Sequence, residues 1–162
     1  MAAYEDLSLT HRLFMKSYPF HRYAVTPAPY TSLKKPLREA RIALVTTAGL
    51  RLTDQPGFDK HLKAGDATFR EIPNTVETQS LTEDHKSSAF DHTGIQADRN
   101  LAFPLDRFRE LERAGEIGRL NHRHFSFMGS IINPRRLIEE TSVTVAEMLR
   151  ADAVDVAFLT PV

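Results

Sequence analysis

The sequence has no cysteine, which excludes disulfides, thiolate metal sites and a cysteine nucleophile within these residues. An excess of charge of either sign is also missing: 21 Lys and Arg balance 21 Asp and Glu, and the pI is near 7.1. No global field therefore recruits nucleic acid or an anionic membrane, and neither is expected as a partner. No apolar run approaches the roughly 18 residues that cross a bilayer, and the amino terminus lacks the basic, apolar, small-residue order of a signal peptide. A cytoplasmic protein is expected. Neither G-x-G-x-x-G nor G-x-x-x-x-G-K-[ST] occurs, so a dinucleotide or nucleoside triphosphate site has no support. Glycine is absent from residues 1–40, where Tyr4, Tyr18, Tyr23 and Tyr30 lie among Pro19, Pro27, Pro29 and Pro36. That stretch reads as an aromatic, proline-rich arm with a short helix over about residues 6–16, followed by an α/β domain over 41–162.

What is present centres on Arg41 to Arg51. The run Ile42-Ala43-Leu44-Val45, entering a turn at Gly49, has the composition of a strand covered on both faces, which is the habit of parallel sheets. Further strands are expected at Thr68–Ile72, around Phe125–Phe127 and at Ala153–Leu159, with residues 74–100 as a long polar loop. Pro104 and Pro134 open two helices. Leu105, Phe108 and Leu111 form the apolar stripe of the first, and Leu137, Ile138, Val145, Met148 and Leu149 that of the second. The order predicts an α/β three-layer sandwich with a mainly parallel sheet, flavodoxin-like or Rossmann-like but without the dinucleotide fingerprint.

Ligands of open parallel sheets sit beyond the carboxyl ends of the strands, which makes Thr46, Thr47, Gly49 and Arg51 candidates for binding. Their hydroxyls, backbone N–H groups and guanidinium suit a carboxylate or similar small anion. The alternative is that Gly49 only permits the turn and Arg51 is solvated. In the long loop, Asp91-His92-Thr93-Gly94 with Asp98 and Asn100 concentrates acid, base and hydrogen-bonding groups, although Asp91 and Asp98 also suit turn capping. His122 and His124 would share a face on a strand, but no carboxylate or thiol stands near them in sequence, and no metal is expected.

Seven blocks, read in order, carry a resemblance. They are Ala43 to Leu50, Gly65 to Pro73, Ser88 to Gly94 with Asp98 and Asn100, Phe103 to Arg107, Gly115 to Gly118, His124 to Gly129 and Asp155 to Val162. Together they resemble the glycine/sarcosine/betaine reductase selenoprotein B family, which also includes a proline reductase component.

The resemblance implies a selenol- or thiol-dependent oxidoreductase that cleaves a carbon–nitrogen bond in a small amino-acid-like substrate. It implies a thiol electron donor such as a thioredoxin-like protein, and either other subunits of a reductase complex, one of which can carry a pyruvoyl group, or a homo-oligomer. Asp91 and His92 become the expected proton-transfer residues. Thr46, Thr47, Gly49, Arg51, Asp98, Asn100, Phe127, Met128 and Gly129 become the expected substrate contacts. No cofactor is expected within these residues; the redox selenocysteine or cysteine is expected just after Val162. Two explanations follow: a truncated chain, ended where a UGA selenocysteine codon was taken as a stop, or a non-catalytic small-molecule-binding or accessory module.

Overall fold

Strand β1 (Arg41–Thr46) is the centre of a five-stranded sheet. Ala43, Leu44 and Thr46 are fully buried and Ile42 nearly so, as a strand with neighbours on both sides and cover on both faces requires. In this computed structural model, which describes residues 8–17, 26–28, 30–87, 90 and 92–162, the chain divides into two units, Met1–Ser32 and Leu33–Val162. The first contains helix α1 (Leu9–Ser17); Tyr4, Tyr18, Tyr23, Pro19 and Pro29 of the expected arm lie outside the described residues. Everything below concerns the second unit.

Around β1 run β2 (Leu50–Arg51), β3 (Phe69–Pro73), β4 (Thr82–Glu83), β5 (Arg119–Leu120), β6 (Arg123–Phe127) and β7 (Val156–Thr160). β7 lies parallel along one side of β1, with Ile42 to Thr46 opposite Val156 to Thr160. The other side is shared: β5 pairs parallel with Arg41–Ile42 and β6 parallel with Val45–Thr46. β3 closes that edge antiparallel to β6, and its edge position is what lets Pro73 sit in a strand without breaking an inner ladder. The unit is thus mixed α/β with a mainly parallel sheet. Its helices are α2 (His92–Ala97), α3 (Leu105–Arg113) and α4 (Ser142–Ala151).

Alternation along β1 sorts the core. Ile42 and Leu44 join Ile72, Leu81, Ile95 and Phe103 in one apolar cluster, while Val45 packs against Phe125, Phe127 and Val145 in the other, as the two-residue period of a strand dictates. β7 is the bare member. Phe158 is 39% exposed and Leu159 65%, although Phe158 tilts against Phe108 with ring centroids 4.8 Å apart.

The break between β5 and β6 has a side-chain remedy. Asn121 still donates its N–H to the Ile42 carbonyl at 2.8 Å, but the next β1 donor, Leu44 N–H, is accepted at 3.1 Å by the Nδ1 of fully buried His124. Burial holds His124 neutral, down to about 3. Asp152, just past α4, pins the same break: it accepts from Arg123 Nε at 2.7 Å, Arg123 Nη2 at 2.9 Å and Asn121 Nδ2 at 2.8 Å. The Arg123 hydrogen bonds, foremost, hold its carboxyl down at about 2.

Three expectations change. Residues 74–100 are not one loop: they hold 3-10 turns at Thr78–Ser80 and Arg99–Leu101, strand β4 and helix α2. β4 exists because β2 is there to pair with it, and the six residues of α2 are too few to show a helical period. The helix after Pro134 opens as a wide π turn, Leu137–Thr141, before α4, with the buried Thr141 hydroxyl donating to the Ala67 carbonyl at 2.7 Å. The wider turn rotates the following face, so Ile138 is half exposed while Val145 is buried. In α3, Leu105 is buried but Leu111 remains 39% exposed, so the stripe is shorter than the spacing suggests.

Candidate functional site

The site begins where β1 ends. After Thr46 the chain turns through Gly49, which has φ 66°, a left-handed conformation that glycine adopts without the steric penalty of a side chain. Gly49 N–H donates to the Phe127 carbonyl at 2.8 Å, and its own carbonyl accepts from Asp84 N–H at 2.9 Å. The β2/β4 ladder is thereby carried on the carboxyl edge of the sheet, and β4 delivers Glu83, Asp84 and His85 to that edge.

Each of the three has a defined partner. Asp84 accepts from Arg51 Nε at 2.5 Å and lies 3.4 Å from Lys60 Nζ; despite burial, these contacts hold its carboxyl below the usual range. Arg51 commits its Nη1 to the carbonyls of Leu52, Thr53 and Gln55 at 3.0, 3.2 and 3.2 Å. Its guanidinium therefore braces the turn. Glu83 accepts the His85 backbone N–H at one oxygen and holds His92 Nδ1 at 2.8 Å with the other. His92 Nε2 lies 3.0 Å from the Ser87 carbonyl. A carboxylate and a carbonyl can only accept, so both contacts are satisfied together only when both ring nitrogens of His92 donate, an arrangement that favours the imidazolium. Its pKa is raised accordingly, by the Glu83 hydrogen bond first.

His85 is the opposite case. It is 5% exposed and stacked on Phe90 with centroids 4.3 Å apart. Its Nδ1 accepts the Ser87 N–H at 3.2 Å, which places the ring proton on Nε2. Burial is the main cause pushing its pKa down, so the ring is neutral. Nε2 is buried with no hydrogen-bond partner among the described residues. Leaving such a donor unmatched costs about 1–3 kcal/mol.

Gly129, following β6, has φ 66°. A Cβ there would stand 2.8 Å from the Thr47 carbonyl and 3.0 Å from His85 Nε2, so only glycine fits without displacing one of them. Thr47, Phe127 and Gly129 line one end of an apolar groove of about 400 Å³ that continues over Val145, Leu149 and Leu159. Met128 is fully buried. Thr46 is buried, its hydroxyl accepting Ala48 N–H at 3.1 Å and donating to the Thr160 carbonyl at 3.3 Å. The Thr47 hydroxyl accepts Val162 N–H at 2.9 Å.

The structure thus brings Thr47, Gly49, Phe127 and Gly129 to one edge and adds His85, with His92 6.5 Å from it between ring centroids. Asp98 and Asn100 belong to another network. Asp98 accepts from Asn100 N and Nδ2 at 2.9 and 3.1 Å, and Asn100 exchanges two 3.0 Å bonds with Asp106. Asp91 lies outside the described residues. His122 and His124 do not share a face: the break in the ladder leaves His122 68% exposed, 3.9 Å from Asp152, while His124 points inward. Among the described residues no cluster of three metal-ligating side chains forms, and no helix is long and apolar enough to cross a membrane. Sequence reasoning missed Glu83 and His85. The available signal was two histidines and a glutamate within ten residues, without a period to mark them as placed.

The profile of the glycine/sarcosine/betaine reductase selenoprotein B family matches residues 8–162. The chain belongs to that family. Among its relatives, a protein named D-proline reductase subunit gamma from Acetoanaerobium sticklandii is 32% identical over 137 residues, 84% of this chain and 54% of that protein. A glycine reductase complex component B subunit gamma from Symbiobacterium thermophilum is 33% identical over 132 residues, 78% of this chain and 29% of its own length. A sarcosine reductase complex component B subunit beta from Peptoclostridium acidaminophilum is 30% identical over 123 residues, covering 72% and 26% respectively. The chain therefore spans about half of the first relative and under a third of the other two. No solved structure matches it.

Proposed function

We propose that this chain forms the substrate-side half of a reductase that cleaves a carbon–nitrogen bond in a small amino-acid-like substrate. A selenol or thiol from a segment outside these residues supplies the redox chemistry. The net reaction takes two electrons and two protons: the C–N bond becomes C–H and N–H while two thiols of the donor become one disulfide. In a selenoprotein B family member, the observation that supports this reading is the meeting of the β1 and β6 carboxyl ends at Thr47, Gly49 and Gly129, beside an apolar groove.

Thr47 and Gly129 form the wall against which substrate rests, and Phe127 backs it. His92, paired with Glu83, holds the turn over the site and places its proton near the leaving amine; Asp91 is the neighbouring candidate for proton transfer. Asp98 and Asn100 act at one remove, by holding the start of α3. The same reading takes the helices as the outer layers of a flavodoxin-like or Rossmann-like sandwich. It also takes subunits of a reductase complex and a thioredoxin-like thiol protein as partners.

The test is the complete gene product, sequenced past the codon for Val162 and assayed with dithiothreitol and candidate partner subunits. D-proline, glycine, sarcosine and betaine are offered in turn, with amine release or ring opening as the readout. Turnover of one of them is the expected result. Binding of an amino acid with no reduction of any would favour a non-catalytic binding module instead.

A further inference from the structure

The buried, unmatched donor at His85 goes beyond the general reading of this edge. Four features of it converge. The Ser87 N–H occupies Nδ1, so the proton on Nε2 cannot migrate without breaking that bond. Gly129, left-handed, clears the space beside the ring, since a Cβ there would lie 3.0 Å from Nε2, and Gly49, also left-handed, admits the His85 backbone, whose N would lie 3.0 Å from a Cβ at Gly49. Nε2 has no acceptor among the described residues, although buried polar groups are nearly always bonded. Glu83 is the strongest charge acting on the ring, opposed by His92, Lys60 and Lys86, but both of its oxygens are taken, by His92 and by the His85 backbone N–H, so it offers Nε2–H no acceptor.

We propose that His85 binds the carboxylate of the amino-acid-like substrate, its Nε2–H donating to a carboxylate oxygen that arrives between Thr47 and Gly129. This rests on the reading of the substrate given above. The unmatched N–H selects a hydrogen-bond acceptor such as a carboxylate oxygen; an ammonium group has only donors to offer it. The ring is a donor and not an acid, because a neutral imidazole holds its remaining proton far too tightly to release it near neutral pH. Nε2 is covered in the free protein, so the carboxylate reaches it only when the Gly129–Ser130 segment yields. Ser130 has φ 51°, in the sparsely populated left-handed region for a side-chain-bearing residue.

The experiment is nitrogen-15 histidine NMR on the complete protein, titrated with acetate, glycine and D-proline, alongside His85→Phe and His85→Gln. Phenylalanine keeps the stack on Phe90 and removes the donor, whereas glutamine keeps an N–H donor. The expected result is a protonated Nε2 in the free protein whose proton moves downfield on titration. His85→Phe should bind at least tenfold more weakly, and His85→Gln within about threefold of the parent protein. An unmoved His85 signal at saturating ligand overturns the proposal, as does His85→Phe binding like the parent, or no binding of any of the three probes. The parent signal decides the matter even when a variant fails to fold. Binding through His85 in an enzyme that reduces none of its ligands would refute the reductase reading and leave this inference standing; reduction with an unchanged KM in His85→Phe would do the reverse.

Discussion

Two polar clusters lie between residues 78 and 109, and they treat their hydrogen bonds in opposite ways. At the start of α3, Asp98, Asn100, Asp106, Thr78 and Arg109 bond to one another: Asp106 accepts from Thr78 Oγ1 at 2.9 Å, Asn100 Nδ2 at 3.0 Å and Arg109 Nη1 at 2.7 Å. Arg109 also donates to the carbonyls of Asn74 and Val76. At the carboxyl edge of the sheet, Glu83 and His92 are paired, while His85 keeps Nε2 unmatched. A network with its bonds closed holds elements together, whereas an edge with a donor to spare has something left to offer a ligand. Composition alone gave both stretches the same appearance.

Substitutions can break that contrast, and the largest effect should come from Gly129→Ala. A methyl group at φ 66° would lie 2.8 Å from the Thr47 carbonyl, so a loss of about 2–4 kcal/mol is expected from left-handed strain plus overpacking. Thermal or urea unfolding would measure it, and a loss below 1 kcal/mol would mean the edge is looser than its geometry. Asp106→Ala follows, at about 2–3 kcal/mol, because it removes at once the acceptor shared by the Thr78 hydroxyl, the Asn100 amide and the Arg109 guanidinium. Ligand affinity of the folded fraction should stay the same; a tenfold change would place this network in the site.

Acid comes next. His124, and with it His85, has a folded pKa below the unfolded value of about 6.5. Protonation therefore favours the unfolded chain: the contribution is complete above 6.5 and is lost as pH falls toward 3. For His124 this is about 1 kcal/mol between pH 6 and pH 5, one proton's slope. His124→Asn keeps an acceptor for Leu44 N–H and should flatten that part of the profile; an unchanged slope would assign the loss to other groups.

The smallest effect is that of His92, with the opposite sign. Its folded pKa is raised, so its pairing with Glu83 stabilises fully below about pH 6.5 and fades as pH rises through the raised value. Glu83→Gln should remove this component, which a proton NMR titration of His92 would show as a pKa returning toward the unfolded value. A His92 titration unaffected by Glu83→Gln would mean that another group holds the imidazolium.

The fold was legible where burial is periodic. Ile42 to Val45 announces a central parallel strand because cover on both faces demands an unbroken apolar run, and Pro104 marks the start of α3 through a backbone restriction local to that residue. β4 and α2 were not legible, since two residues of strand and six of helix carry no period and exist through their partners. The site divides in the same way. Thr47, Gly49 and Gly129 could be named because strand ends and turn glycines are visible in sequence. His85 could not, because nothing along the chain says which loop histidine will be carried under the β1 turn with one nitrogen satisfied and the other left over.

The sequence by itself determined an α/β chain with a parallel centre and membership of a reductase family, because apolar periodicity and ordered motif blocks are written residue by residue. Only the tertiary structure decided that Arg51 is tied to Asp84, that Asn100 serves Asp106, and that the pKa values of His85 and His92 are pushed in opposite directions. Protonation and hydrogen-bond availability depend on which acceptors and how much water surround a group, and those neighbours come from parts of the chain far apart in sequence.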